Sequence, residues 1–452
     1  MLIQRDGLRV VIGLGKTGLS CVRYLKAQGY PVAVNDTREH PPGLAELRAE
    51  FPDVEVSLGK LDAELFLRAS EVISSPGISI REPAIAAAMA AGVSVVGDVE
   101  LFCRAAKAPI VAITGSNAKS TVTTLVGLMG EAAGKRTGVC GNIGTPVLDM
   151  LAEGEKDLYV MELSSFQLET THSLKAAVAV VLNLSEDHMD RYTGMVDYHQ
   201  AKHRIYRNCE RFVFNREDAL TVPLIADDLP RASFGLGVPD LNDFGVRVVE
   251  GKPYLARGRE MLMPVSELQI FGDHNVANAL ACLALGEAVG LPMDAMLNTL
   301  RSFTGLKHRC QRVAMHNGIG WYNDSKGTNV GATLAAINGL GAAISGKILL
   351  IAGGVGKGQD FTPLSPAMAQ FGRSLILIGE DASVIDLAVA AALPRFHCTS
   401  LDEAIAQALR LAKPGDAVLL SPACASFDMF KHYEDRGDQF VAGVRRLVEG
   451  HA

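Results

Sequence analysis

Aromatic side chains are scarce in this chain. They make up 6% of the sequence, with Trp321 the single tryptophan, which argues against a surface built to stack nucleic-acid bases. A basic excess is missing too. The formal net charge is -7, whereas proteins that neutralise a nucleic-acid backbone usually carry surplus lysine and arginine. Nucleic acid is therefore not an expected partner, although a few placed lysines suffice for a small anion. Paired cysteines are absent. The eight cysteines (Cys21, Cys103, Cys140, Cys209, Cys282, Cys310, Cys398 and Cys424) contain no C-x-x-C and read as reduced, mostly packed thiols, not as a zinc or redox centre. No apolar run reaches the roughly 18 residues of a membrane span. The stretch from Ala84 to Val96 is interrupted by Gly92 and followed by Gly97, so a buried helix and a strand explain it. The chain opens on a strand-like Leu8 to Ile12 and not on a basic stretch with an apolar signal core. A cytoplasmic protein without membrane contact is expected.

What is present is a globular balance of 48% hydrophobic and 21% charged residues over 452 positions, too long for one core and suited to two or three domains. Short apolar runs alternate with helical patterns. Val10 to Gly13, Val32 to Asn35, Val72 to Ser74, Ile110 to Thr114, Tyr159 to Leu163, Ala177 to Leu182, Ile348 to Ala352, Leu375 to Gly379 and Ala417 to Ser421 read as strands. Several are apolar on both faces, as a parallel sheet between helices requires. The fold class is α/β, doubly wound. Three strand-loop-helix junctions, near Gly13, Gly115 and Gly353, suggest three sheets meeting around one site. Boundaries near Asp98 and Thr304 divide the chain into residues 1–97, 98–304 and 305–452.

The first junction, Gly13-Leu14-Gly15-Lys16-Thr17-Gly18 with Asp36 ending the next strand, matches the dinucleotide fingerprint. Its physics is less specific, because a helix N-terminus beside glycines favours any diphosphate. A nicotinamide cofactor (the dehydrogenase reading), another diphosphate, or tight packing alone all remain open here. The second, Thr114-Gly115-Ser116-Asn117-Ala118-Lys119-Ser120-Thr121, resembles a phosphate loop. Lys119 would neutralise phosphates and Ser120 would bind Mg²⁺. The strict pattern fails, since Ile113 and Ala118 stand where glycines belong; a plain helix cap, or a non-catalytic nucleotide switch, also accounts for it.

Glu162, at a strand end, is a natural second Mg²⁺ ligand. The polar run Asn183 to Arg191 follows the next strand, where so many ionisable groups suit a charged site. Lys202 lies in a helix read over Tyr198 to Tyr206 and, on periodicity alone, is a solvated residue. Leu306 to Arg309, Asn323 to Asn329, Ala352 to Lys357 and Ser421 to Asp428 sit at strand ends. They offer cations and hydroxyls for a nucleotide or a dicarboxylate.

Together these blocks resemble the Mur ligases, most specifically the branch that adds D-glutamate. T-G-S-N-A-K-S-T from Thr114, G-N-I-G from Gly141, E-L-S-S-F-Q-L-E from Glu162, D-H-M-D-R from Asp187, His308-Arg309, N-D-S-K from Asn323 and S-P-A-C-A-S from Ser421 follow in the family's order. The resemblance covers essentially the whole chain. It implies a Rossmann-like N-terminal domain, a central P-loop ATPase-like domain with a mostly parallel sheet, and a Rossmann-like C-terminal domain. The partners it implies are ATP, two Mg²⁺ ions, UDP-N-acetylmuramoyl-L-alanine and D-glutamate, handled by a monomer. The uridine substrate would be held by Lys16, Thr17, Asp36, Thr37, Arg38, Gly77, Asn142, Ser164 and His188. ATP would be held by Gly115, Ser116, Asn117, Ala118, Lys119, Ser120, Thr121, Asn275, Arg309 and Asp324. Lys326, Thr328, Lys357, Ser426, Phe427 and Tyr433 would contact D-glutamate, Tyr433 at a place the family often fills with phenylalanine. Ser120, Glu162, His188 and a carbamylated Lys202 would bind the metals, and Lys119, His188 and Lys202 would carry the chemistry.

Overall fold

The computed structural model describes residues 7–224, 229–270, 272–390 and 392–449. The outermost parts of the first and third expected units, residues 1–6 and 450–452, lie outside the described residues. Three sheets follow one another along the chain. The first holds β1 (Arg9–Ile12), β2 (Val32–Asp36), β3 (Glu55–Leu58), β4 (Glu71–Ser74) and β5 (Ser94–Val96), all parallel in the order β3-β2-β1-β4-β5. The second holds β6 (Ile110–Thr114), β7 (Thr137–Gly141), β8 (Leu158–Glu162), β9 (Val178–Val181), β10 (Phe212–Asn215), β11 (Arg231–Phe234), β12 (Phe244–Val249), β13 (Lys252–Arg257) and β14 (Glu260–Pro264). Its order is β14-β13-β12-β11-β10-β9-β6-β8-β7, parallel except for the β12–β14 meander at one edge. The third holds β15 (Gln311–His316), β16 (Ile319–Asn323), β17 (Ile348–Gly353), β18 (Gly372–Ile378), β19 (Arg395–His397) and β20 (Ala417–Leu420). There only the β15–β16 hairpin is antiparallel.

Every apolar run read as a strand is one, shifted at its ends by a residue or so, except that β18 begins three residues earlier than read, at Gly372. The strands missing from that reading are short or half-exposed and lie mostly toward the sheet edges. Such strands need no continuous apolar run, and β13 even contains Pro253. The helix expected over Tyr198 to Tyr206 begins earlier, at Met195, and its last three residues tighten into a 3₁₀ turn.

The core is not divided evenly. One apolar cluster joins the first sheet to the second through Leu19, Val22, Phe102, Val147, Leu148 and Met161. The third sheet buries its own two faces around Leu350 and Leu377 on one side and Ile351, Ile376 and Trp321 on the other. The side-chain hydrogen bonds that join it to the second sheet are polar and gather at the strand ends.

Two backbone positions set the loops there. A Cβ on Gly18 would stand 1.8 Å from the Gly13 carbonyl oxygen, so this glycine lets the helix Lys16–Ala27 close onto β1. Gly18→Ala should therefore lower stability by about 2 kcal/mol, as overpacking does, measured as a reduced urea midpoint. An unchanged midpoint would show that the close approach is not required.

Ala118 adopts φ 66, a left-handed conformation that disfavours an L-residue by roughly 1–2 kcal/mol. Ala118→Gly relieves that strain while regaining unfolded-chain freedom worth about 0.4–1 kcal/mol. A net gain of about 0.5 kcal/mol is expected in the same unfolding experiment, and a loss would contradict a strained loop.

Candidate active site

The chain turns from β6 into the helix Lys119–Ala132 through Gly115 to Ala118. The loop is braced from behind by the segment after β9. The Asn117 N–H donates to Asn183 Oδ1 at 2.8 Å, and Ser116 Oγ donates to the Ser185 carbonyl at 2.8 Å. Lys119 folds over its own loop, with Nζ 2.7 Å from the Gly115 carbonyl and 2.9 Å from that of Ser116. Thr121 is buried in the following turn.

Lys202 overturns its reading as a solvated helix residue. It is 2% exposed, and its Nζ lies 2.9 Å from the same Gly115 carbonyl and 4.8 Å from the Tyr198 ring. Burial first, and then the proximity of Lys119, holds its amine well below the ordinary lysine range, against the pull of Asp187 and Glu162. Period-3.6 patterning failed here because tertiary contact, and not an apolar stripe of its own helix, buries this residue.

Glu162, the last residue of β8, is buried. Asn142 Nδ2 donates to its Oε1 at 2.8 Å, while Oε2 has no partner among the described residues. A buried carboxylate oxygen left open, within electrostatic reach of Lys119 and Lys202, fits a cation. Ser164 caps the short helix Ser165–Glu169 in a reciprocal capping box with Gln167.

His188 sits at φ 58, its ring edge-on to Phe166 at 4.9 Å between centroids. Burial pushes its imidazole down to about 4 and nearby lysines add to this, although Asp187 pulls upward. It is therefore neutral at pH 7, with a lone pair free for a proton or a metal. Among the described residues no three His, Cys, Asp or Glu side chains form a metal-binding group. A metal here would need donors of another kind, such as Ser120 or a modified Lys202.

The third sheet closes the other side. Arg309 Nη2 donates to Ser120 Oγ at 3.0 Å. Asp324 follows β16 and is buried, accepting from Ser421 Oγ at 2.7 Å and the Cys310 N–H at 3.0 Å. Burial pushes it up to about 6 despite those bonds. A cavity of about 380 Å³ lies between the sheets, walled by Asn117, Ala118, Thr121, Asn275, Arg309 and Asp324 among others. Its volume suits a small-molecule ligand.

Lys326 stacks over the Tyr433 ring at 3.8 Å; burial and the nearby Arg309 bring it down to about 8. Thr328 is half-buried two residues on. Ser426 is buried and Phe427 is 75% exposed. Lys357 reaches across to the second sheet's loops, with Nζ 2.7 Å from Asp187 Oδ1.

The first sheet stands apart from this cluster. Lys16, Thr37 and Arg38 are exposed, Thr17 is half-buried, and Gly77 lies in the loop after β4. Asp36 is buried, accepting the Leu14 N–H at 2.6 Å and a fork from Arg38. Those bonds hold its carboxylate at about 2 in spite of burial. The carboxylate that would receive a nicotinamide ribose is thus engaged in holding the glycine loop. No hydrogen bond between described residues joins these positions to Asn142, Ser164 or His188.

Four residues lay within or beside the motifs without a role. Asp187 accepts from both Lys357 and Asn329, whose Nδ2 also lies 3.1 Å from Asn117 Oδ1. Arg191 reaches the loop around Gly77. Arg436, 1% exposed, donates to the carbonyls of Ser325, Cys424 and Ala425 and straps two strand-end loops together. Only a long-range contact reveals these roles, and no local pattern carries one.

Comparison with known proteins follows the same division. Residues 8–97 match the Mur ligase MurD-like N-terminal domain, residues 113–286 the Mur ligase middle domain, and residues 308–424 the Mur ligase glutamate ligase domain. A UDP-N-acetylmuramoylalanine--D-glutamate ligase of Pseudomonas fluorescens is 60% identical over 447 residues, covering 99% of this chain and 100% of that one. Its namesake in Pseudomonas aeruginosa is 59% identical with the same coverage. The solved UDP-N-acetylmuramate-alanine ligase of Thermotoga maritima shares the fold at 18% identity, with a TM-score of 0.60 over 97% of this chain and 99% of that one. On the family matches and the full-length relatives, this chain belongs to the Mur ligase family.

Proposed function

We propose that the chain joins the amine of D-glutamate to the L-alanine carboxylate of UDP-N-acetylmuramoyl-L-alanine, converting ATP to ADP and phosphate. What carries this reading is the meeting of Lys119, Lys202, the half-open Glu162 and the neutral His188 beside a nucleotide-sized cavity. The relatives' shared name supplies the substrates. Residues 1–97 hold the uridine nucleotide, residues 98–304 the phosphates of ATP, and residues 305–452 D-glutamate and part of ATP. The proposed setting is the cytoplasm; among the described residues no helix is long and apolar enough to cross a membrane.

A carboxylate is a poor electrophile, so the γ-phosphoryl group first moves onto it, giving an acyl phosphate. Both partners are anions, and Lys119 offsets their repulsion. Arg309, Asp324 and Asn275 hold the nucleotide. Lys326, Thr328, Lys357, Ser426, Phe427 and Tyr433 orient D-glutamate, whose neutral amine attacks the acyl carbon and expels phosphate. The attacking nitrogen gives up its extra proton to the departing phosphate as the amide forms. Mg²⁺ ions held by Ser120, Glu162, His188 and Lys202 would supply charge neutralisation for the transferring phosphoryl group. Lys202 takes part after its neutral amine adds CO₂ and releases a proton, which turns a buried amine into an anionic oxygen ligand.

The direct test is phosphate release with ATP, Mg²⁺ and UDP-N-acetylmuramoyl-L-alanine. Release that depends on D-glutamate and not L-glutamate, with a new amide, is expected. Release driven by another amino acid would move the substrate assignment. Lys119→Ala should abolish turnover in a folded protein. Lys202→Ala should lower kcat by at least about a hundredfold, in the range of losing one transition-state-stabilising group, with partial rescue by short carboxylic acids. A silent Lys202 substitution would rule out the carbamate.

A further inference from the structure

The border between the first and second sheets is crossed by one half-buried guanidinium that the mechanism does not use. Arg191 Nη1 donates to the carbonyls of Pro76 at 3.3 Å and Gly77 at 3.4 Å, and Nη2 donates to that of Ile78 at 3.1 Å. Its guanidinium carbon lies 4.1 Å from the centre of the Phe166 ring, a cation–π contact that fixes the plane of the fork. The Arg191 N–H in turn bonds the His188 carbonyl at 2.9 Å. The loop after β4 and the turn carrying His188 thus share one residue.

The consequence is geometric. No peptide bond in the described chain is cis, and in a trans peptide the C=O and the following N–H point in opposite directions. Drawing the Pro76 carbonyl onto Arg191 turns the Gly77 N–H away from it. No acceptor among the described residues takes that N–H, and a Cβ at Gly77 would meet nothing within 4 Å. The neighbouring Ile78 N–H is already given to Ser75 at 3.0 Å. An oriented backbone donor with no partner among the described residues, at an exposed glycine beside the first glycine loop, suits an anionic oxygen.

We propose that Arg191 is a positioning residue, holding the 76–78 carbonyls so that the Gly77 N–H is presented to the diphosphate of the nucleotide-sugar. This rests on the reading of the first domain as the holder of that substrate. Arg191 itself touches no substrate.

The test compares the wild type with Arg191→Ala, Arg191→Lys and Arg81→Ala. Arg81 forms the exposed ion pair to Asp197 across the same border, with its nearest distance 2.7 Å, and serves as the control. Binding of UDP-N-acetylmuramoyl-L-alanine and of ATP is followed by calorimetry, alongside steady-state kinetics. In Arg191→Ala, Kd and KM for the nucleotide-sugar should rise about tenfold or more, as for loss of a charge-assisted hydrogen bond. Its kcat and its KM for ATP should stay near wild type, and Arg191→Lys should recover part of the loss. Arg81→Ala should leave the nucleotide-sugar KM unchanged.

An unchanged Kd in Arg191→Ala, a fall in kcat with every KM intact, or an equal effect in Arg81→Ala would overturn the proposal. If Arg191→Ala also loses ATP binding through misfolding, Arg191→Lys decides by the same split. A wild type that binds no nucleotide-sugar would overturn the functional reading itself, an outcome distinct from the others.

Discussion

A buried lysine and a half-buried one share one carbonyl oxygen, and much of the site follows from that. Lys119 and Lys202 both place Nζ on the Gly115 carbonyl, at 2.7 and 2.9 Å. Two ammonium groups cannot stand so close out of water without large repulsion. The protein's answer is visible in the second lysine, whose amine is held well below its ordinary range. Lys119 is lowered too, by burial first, and Glu162 and Asp187 oppose the shift at both lysines. The shift is the stronger at Lys202, so the pair is asymmetric: one cation for phosphates and one amine that need not be charged. Glu162 completes the arrangement with an oxygen that no donor among the described residues satisfies.

Backbone strain is concentrated at the same junction. Of the nine non-glycine residues with positive φ among the described residues, Ala118, His188, His308, Cys310, Lys357 and Ala423 lie on loops around the meeting of the second and third sheets. Left-handed residues without glycine persist only where surrounding contacts over-determine them. Those contacts are on hand: Asn183 and Ser185 behind Ala118, Asp187 against Lys357, and Asn323 against His308. The third sheet, with its separate apolar faces, is joined to the second by such polar contacts, so the geometry of the cleft depends on them.

How much of this the sequence discloses follows from the reach of each signal. Apolar runs on both faces of a strand are local, and all nine strands read from them exist. The edge strands, half wet, leave no such trace. Strand-end motifs place Lys119, Glu162, His188 and Asp324 where they are found, because in a parallel sheet the chain itself carries them to one side. Lys202 defeats local reading, since its helix pattern is that of a surface residue and only the fold buries it. Asp187, Asn329, Arg191 and Arg436 act across more than one segment, and nothing within a window of ten residues encodes a partner a hundred positions away.

The glycine fingerprint at Gly13 shows why a motif is weaker than a site. Its glycines answer to two needs that any such loop has: Gly18 admits the Gly13 carbonyl, and the helix start favours an anion. Neither need names a cofactor. The discriminating residue is the acid that ends the second strand, and here Asp36 is occupied by the Leu14 N–H and the Arg38 fork. A carboxylate already held by two partners stabilises the loop it belongs to and offers little to a ribose hydroxyl. The same sequence pattern therefore serves a different end when its acid turns inward, and the chemistry has to be read from what remains unsatisfied: the Gly77 N–H in the first sheet and the Glu162 oxygen in the second.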